Sequence, residues 1–233
     1  MKKILVAIIV LILLYALGPQ PDSPTLPGPA WTNLPDDPQA ITAFLKAKEA
    51  QNGNLKPDNE GQIVYADSAN PQKTKTVVLY IHGFSASPME GNPLHKEVAK
   101  ALHANLVLAR IEDHGEFPTD STMAKASADK FYQSVENYYA LAKKLGDEVI
   151  VLGTSFGGAM SLVLATKHPE MKALLLYGPC IAIKDPSAPL LDNPWGLQLA
   201  RTIMRSDFRD IPSVSPGHKN FWSLHYRLEG IVA

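Results

Sequence analysis

Four short apolar runs, Val77 to Ile81, Leu106 to Ile111, Val149 to Leu152 and Ala173 to Tyr177, punctuate the middle of this chain, and the gaps between them carry helical periodicity. Each run is continuous rather than alternating, the pattern of a strand buried on both faces. The first gap is capped by Asn92, has Pro93 in its first turn, and places Leu94, Val98, Ala101 and Leu102 on one side until about His103. In the second, Ala124, Ala128, Phe131, Val135, Tyr138, Ala142 and Leu145 step by four and three residues, one stripe along a long helix that Gly146 stops. A third helix follows Ser155 and ends at His168-Pro169. Regular alternation of strand and helix implies right-handed crossovers, so the expected fold class is α/β, a parallel sheet with helices on both faces. Sites in such sheets gather at the carboxyl ends of the strands.

Upstream of these units the chain changes character twice. Met1-Lys2-Lys3 precedes an uncharged run, Ile4 to Leu17, that would span about 21 Å as a helix. That is short for a bilayer crossing, and it reads as a secretory signal or an uncleaved signal anchor, with the rest of the chain sent to the exported side. Cleavage would leave a secreted or periplasmic protein. Seven prolines between Pro19 and Pro38 then favour an extended spacer. Order resumes at Asp37, an N-cap followed by Pro38, in a helix to Glu49 with Ile41, Phe44 and Leu45 on one side, and a strand is expected over Gln62 to Ala66. The expected organisation is a signal or anchor at 1–18, a tether at 19–38, an α/β core at 39–178 and a cap at 179–233.

Charge excludes one class of partner. The 22 basic and 23 acidic residues leave a formal net charge of −1, and no basic run supports nucleic-acid binding. The single cysteine, Cys180, forms neither an internal disulfide nor a metal-type cluster. No metal or other cofactor is implied.

Two loops carry the chemical signal. Gly153-Thr154-Ser155-Phe156-Gly157 lies directly between a strand and a helix, the setting of a nucleophile elbow. A sharp turn there strains Ser155 and exposes its hydroxyl, while Gly153 and Gly157 give room where a Cβ would clash. The Phe156 amide, at the helix N-terminus, would favour negative charge on a substrate oxygen. The second loop, His82-Gly83-Phe84, follows the Val77 to Ile81 strand on the same sheet edge. Gly83 lets the backbone approach, the Phe84 amide would be the second oxyanion donor, and the Phe84 ring would line an acyl pocket. His82 precedes the serine and is read as a ring that braces this loop rather than as the base.

From Val77 to Pro179 the chain resembles the α/β-hydrolase superfamily, and within it the small carboxylesterases and monoacylglycerol lipases, which carry a His-Gly-Phe oxyanion loop and a His-Gly pair after the next strand, here His114-Gly115 behind Asp113. The resemblance implies Ser155 as nucleophile, Phe84 and Phe156 as oxyanion amides, and a structural place near the site for His114 and Gly115. It also implies a base and an acid, in the order Ser, acid, His. Only 55 residues follow Gly178, and the expectation for them is two short helices, Trp195 to Met204 and His218 to Leu228, resembling a cap, with the last strands of the family fold missing. Asp185, Asp192, Asp207, Asp210, His168, His218 and His225 are the available titratable groups, none at a recognisable strand end, so neither acid nor base is assigned.

The resemblance therefore implies a serine hydrolase of carboxylic esters, acting on a small-molecule ester through an acyl-enzyme at Ser155 and inactive if acid and histidine are absent. The alternatives are a non-catalytic binding protein of the same fold tethered to a membrane, or a peptidase or acyltransferase.

Overall fold

A computed structural model describes residues 2–232. In chain order the elements are α1 (Lys2–Ala16), α2 (Pro38–Glu49), β1 (Gln62–Val64), β2 (Thr74–Ile81), α3 (Leu94–Ala101), β3 (Asn105–Ala109), α4 (Ala128–Leu145), β4 (Gly146–Thr154), α5 (Phe156–Lys167), β5 (Ala173–Tyr177), α6 (Gly196–Met204), β6 (Phe208–Asp210), α7 (His218–Phe221), β7 (His225–Arg227) and α8 (Glu229–Val232). The apolar runs become strands β2 to β5, which pair in parallel in the sheet order β1-β3-β2-β4-β5, with β1 antiparallel at one edge.

Alternate side chains of β2 divide the core. Val77, Leu79 and Ile81 meet α2, α4 and α5 through Ile41, Leu45, Phe131, Val135, Tyr138 and Leu164. Val78 and Tyr80 face the other way, toward Ala99 of α3 and Leu106 and Leu108 of β3. Burial of each such side chain stabilises by roughly 1.5–3 kcal/mol. Ile81 pairs with Ala109 on one side and Gly153 on the other, so the carboxyl ends of β2, β3 and β4 lie level.

Local competition explains where elements differ from expectation. The long helix begins at Ala128, not Ala124, because the Ser127 hydroxyl caps it by accepting from Lys130 N at 3.3 Å. The strand expected to reach Ile111 stops at Ala109. Beyond it Arg110 turns to the Glu49 carboxylate (2.6 Å) and the Ile111 amide donates to His82 Nε2 (3.1 Å).

The proline-rich segment forms neither helix nor strand, and it lies along α4. The Asp129 carboxylate accepts from Thr25 N (2.7 Å), Thr25 Oγ1 (2.6 Å) and Leu26 N (2.9 Å). Asn137 Oδ1 accepts from the amides of Ala30 (2.7 Å) and Trp31 (3.1 Å), and the Trp31 ring packs against Tyr138 at 5.1 Å and Phe44 at 5.6 Å.

Of the two short helices expected in the cap, the first forms as α6, and the one expected over His218 to Leu228 needs correction, because only its first turn, α7, is helical. The Lys219 and Trp222 carbonyls accept from Lys56 Nζ at 2.9 and 2.8 Å, and the Ser223 amide donates to Ser85 O at 2.7 Å instead of continuing the helix. The chain then enters β7, which pairs antiparallel with β6. No helix among the described residues is long and apolar enough to cross a membrane.

Candidate active site

Ser155 stands between β4 and α5 with φ 49° and ψ −114°, a left-handed conformation that costs a residue with a Cβ on the order of 1–3 kcal/mol. Its backbone is held from the neighbouring strand. Ser155 N donates to Tyr177 O and Cys180 N donates to Ser155 O, each at 2.9 Å. Close packing explains the glycines around it. A Cβ on Gly157 would lie 2.2 Å from Ile81 O and 2.4 Å from His82 O, and one on Gly153 would lie 2.5 Å from Ser161 Oγ.

The loop after β2 meets this turn. A Cβ built on Gly83 would lie 3.4 Å from Ser155 Cβ. The first amides of α5 have no intrahelical acceptor. Among the described residues neither the amide of Phe156, the residue after the serine, nor that of Phe84, the residue after Gly83, makes an intramolecular hydrogen bond. An anion or a carbonyl oxygen gaining charge is the natural acceptor for such a pair.

The Phe84 ring, which the sequence reading places along an acyl pocket, has aromatic neighbours on several sides. It sits edge-on among His114 (5.4 Å), Phe131 (6.3 Å), Phe156 (5.7 Å) and, from the cap, Tyr226 (5.5 Å). His82 is fully buried. Its Nε2 accepts from Ile111 N, which leaves the proton on Nδ1 to be donated to Gly83 O at 2.8 Å, so the ring ties the β2 and β3 loops together. Burial holds its pKa well below the usual histidine range. His114 is also fully buried, its Nδ1 is 2.8 Å from Glu112 O, and burial lowers its pKa to about 4. Gly115 beside it adopts φ 75° against Asn59.

The structure joins two of the tail residues that the sequence left unassigned. His225 Nδ1 and Asp210 Oδ1 are 2.7 Å apart across β6 and β7, and Phe208 stacks on the imidazole at 4.6 Å. Tyr226 faces Phe84, so its strand neighbour His225 faces away from that loop. His168 pairs with Glu136 at 2.9 Å, Asp207 with Arg201 at 2.7 Å, Asp185 with the Ser187 hydroxyl at 2.6 Å, and His218 Nδ1 accepts from Val214 N at 3.2 Å. Asp192 ends a short 3-10 turn. Among the described residues no side chain hydrogen-bonds the Ser155 hydroxyl, and no group of three or more His, Cys, Asp or Glu side chains could hold a metal ion.

Glu90 is the site residue that sequence reasoning missed. It lies in the 3-10 turn Pro88–Gly91 and accepts from Gly83 N at 2.7 Å, and only the glycine seven residues earlier could have drawn attention to it.

A parallel sheet with helices on both faces and a strained serine at a strand-to-helix turn defines an α/β-hydrolase. The chain belongs to the family described as serine aminopeptidase, S33, whose model matches residues 72–223. It is similar to the thermostable monoacylglycerol lipase of Bacillus sp. (strain H-257), 34% identical over 94 residues that make up 40% of this chain and 36% of that one. The chain thus spans about a third of that curated relative. A structure described with LipS and LipT, two metagenome-derived lipolytic enzymes, shares the fold with a TM-score of 0.59 at 20% identity, over 76% of this chain and 67% of the other.

Proposed function

We propose that this protein is a serine hydrolase of carboxylic esters in which Ser155 is the nucleophile and the amides of Phe84 and Phe156 form the oxyanion hole. One observation carries the reading: the strained Ser155 lies beside two backbone donors that have no acceptor of their own. Attack of the hydroxyl oxygen on an ester carbonyl places a negative charge on the carbonyl oxygen, which the two amides stabilise, each contributing on the order of 3 kcal/mol. Collapse expels the alcohol and leaves an acyl group on Ser155, and water releases the acid. The hydroxyl proton must pass to a base, and the reading assigns none. The similarity to a monoacylglycerol lipase favours a neutral carboxylic ester as substrate.

That no side chain among the described residues hydrogen-bonds the Ser155 hydroxyl favours a second reading, a binding protein of the same fold. Incubation of the full chain with a fluorophosphonate probe separates the two. An adduct mapped by mass spectrometry to Ser155, lost in Ser155→Ala, supports the hydrolase; an unlabelled wild type leaves the binding protein.

The same proposal extends to export. The large apolar side chains from Ile4 to Tyr15 are 47% to 66% exposed, so the folded domain does not use them as core. A helix of this kind that opens on two lysines supports a leader or a signal anchor. Fractionation of cells expressing the tagged full chain should find it outside the cytosol, and a wholly cytosolic protein would sink this part.

A further inference from the structure

Backbone pairing between β2 and β4 ends at Ile81 and Gly153. Past that point the two loops that meet at Ser155 share no ladder hydrogen bond, and a side-chain chain takes over. Glu90 Oε2 accepts from Gly83 N at 2.7 Å and from the Tyr80 hydroxyl at 3.0 Å. The Tyr80 hydroxyl in turn lies 3.2 Å from Thr154 Oγ1, in the residue preceding Ser155. Tyr80 is fully buried and packs edge-on against the fully buried His95 at 4.9 Å, so its hydroxyl has little freedom.

The position of Glu90 is specific. A Cβ on Gly83 would lie 2.9 Å from Glu90 Oε1, while the same point is 3.4 Å from Ser155 Cβ, so the carboxylate and the serine flank one glycine. No Lys, Arg or His among the described residues forms an ion pair with Glu90. Its carboxylate bonds one amide, that of Gly83, and one phenol, that of Tyr80, which reaches the elbow.

We infer that Glu90 is a positioning residue that clamps the Gly83 amide and, through Tyr80, the Thr154 side chain, and so sets the separation between the Phe84 amide and Ser155. The inference rests on the oxyanion reading of Phe84. Its physical basis is that a donor stabilises a developing oxyanion only within a few tenths of an ångström of the right place, and here the donor and the nucleophile come from different loops. The Gly83 amide is thus occupied by the carboxylate, while among the described residues the next amide, that of Phe84, has no internal acceptor.

The test is the rate of fluorophosphonate labelling of the full chain, read together with thermal unfolding and with hydrogen exchange at the Gly83 amide. Glu90→Ala should slow labelling about tenfold or more and expose the Gly83 amide to exchange. Glu90→Gln keeps an acceptor oxygen without the charge and should restore most of the lost rate and the protection. Tyr80→Phe keeps the Gly83 clamp and cuts the link to Thr154, giving a smaller loss at unchanged protection, and it carries the test if Glu90→Ala does not fold. Labelling of a folded Glu90→Ala, or of Tyr80→Phe, within about twofold of wild type would overturn the inference, as would equal losses in Glu90→Ala and Glu90→Gln. An unlabelled wild type is a different failure, which removes the nucleophile reading and this inference together.

Discussion

Gly157 passes so close to Ile81 that a methyl group on it would stand 2.2 Å from the Ile81 carbonyl oxygen. The start of α5 is therefore seated on the end of β2, and backbone, not a flexible side chain, sets the limit. Gly157→Ala should destabilise the protein by roughly 1–3 kcal/mol or displace α5. Urea unfolding measures the first effect and loss of fluorophosphonate labelling the second. A variant with wild-type stability and labelling would show that the contact is not tight.

Ser155 carries strain that a glycine would not. Ser155→Gly should abolish labelling and raise stability by about 1 kcal/mol, the relief of φ 49° offset in part by the freer unfolded chain. Ser155→Ala keeps the Cβ and hence the strain, so it should lose labelling at unchanged stability. Equal unfolding midpoints for the two variants would argue against strain at this residue.

The Glu49 carboxylate is buried and accepts from Arg110 Nε (2.6 Å), the Tyr138 hydroxyl (2.8 Å) and Gly61 N (3.0 Å). Removing it leaves a buried guanidinium and two orphaned donors. Glu49→Ala should cost roughly 3–5 kcal/mol. Glu49→Leu with Arg110→Met, which withdraws both charges, should recover much of that loss; denaturant midpoints of the three proteins decide it.

Acid should weaken the fold through its buried histidines. Burial lowers the pKa of His95 and of His114 to about 4 each, against 6.5 for the free side chain. Between those values the unfolded chain binds more protons, so stability is fully present above pH 6.5 and falls as pH falls toward 4. Each histidine contributes a slope of about 1.4 kcal/mol per pH unit within that window. His114→Phe, which keeps a ring in the aromatic cluster, should flatten the slope, and urea midpoints measured at a series of pH values report it.

The central sheet could be read from sequence because runs such as Val77 to Ile81 are long and uniformly apolar, and the elbow because Ser155 sits directly between a strand and a helix. The cap could not. Strands β6 and β7 have three residues each, too few for a period, and α7 ends where it does because Lys56 and Ser85, more than a hundred residues upstream, take its hydrogen bonds. The proline segment lacks regular structure, which reads as a spacer, yet the carboxylate of Asp129 and the amide of Asn137 hold it, and nothing in its own composition shows them. The pairing of Asp210 with His225 likewise depends on a register that no local pattern specifies.

Apart from the bond that Ser155 O accepts from Ala159 N within the following helix, the main-chain hydrogen bonds of Ser155 run to the segment Tyr177–Cys180, at the end of a strand whose Leu175 and Tyr177 are more than a third exposed and which among the described residues has a single strand neighbour, β4. The accuracy with which the hydroxyl is aimed is thus governed at the margin of the sheet rather than at its centre. Whatever stiffens or loosens that margin would tune the reacting atom without touching it.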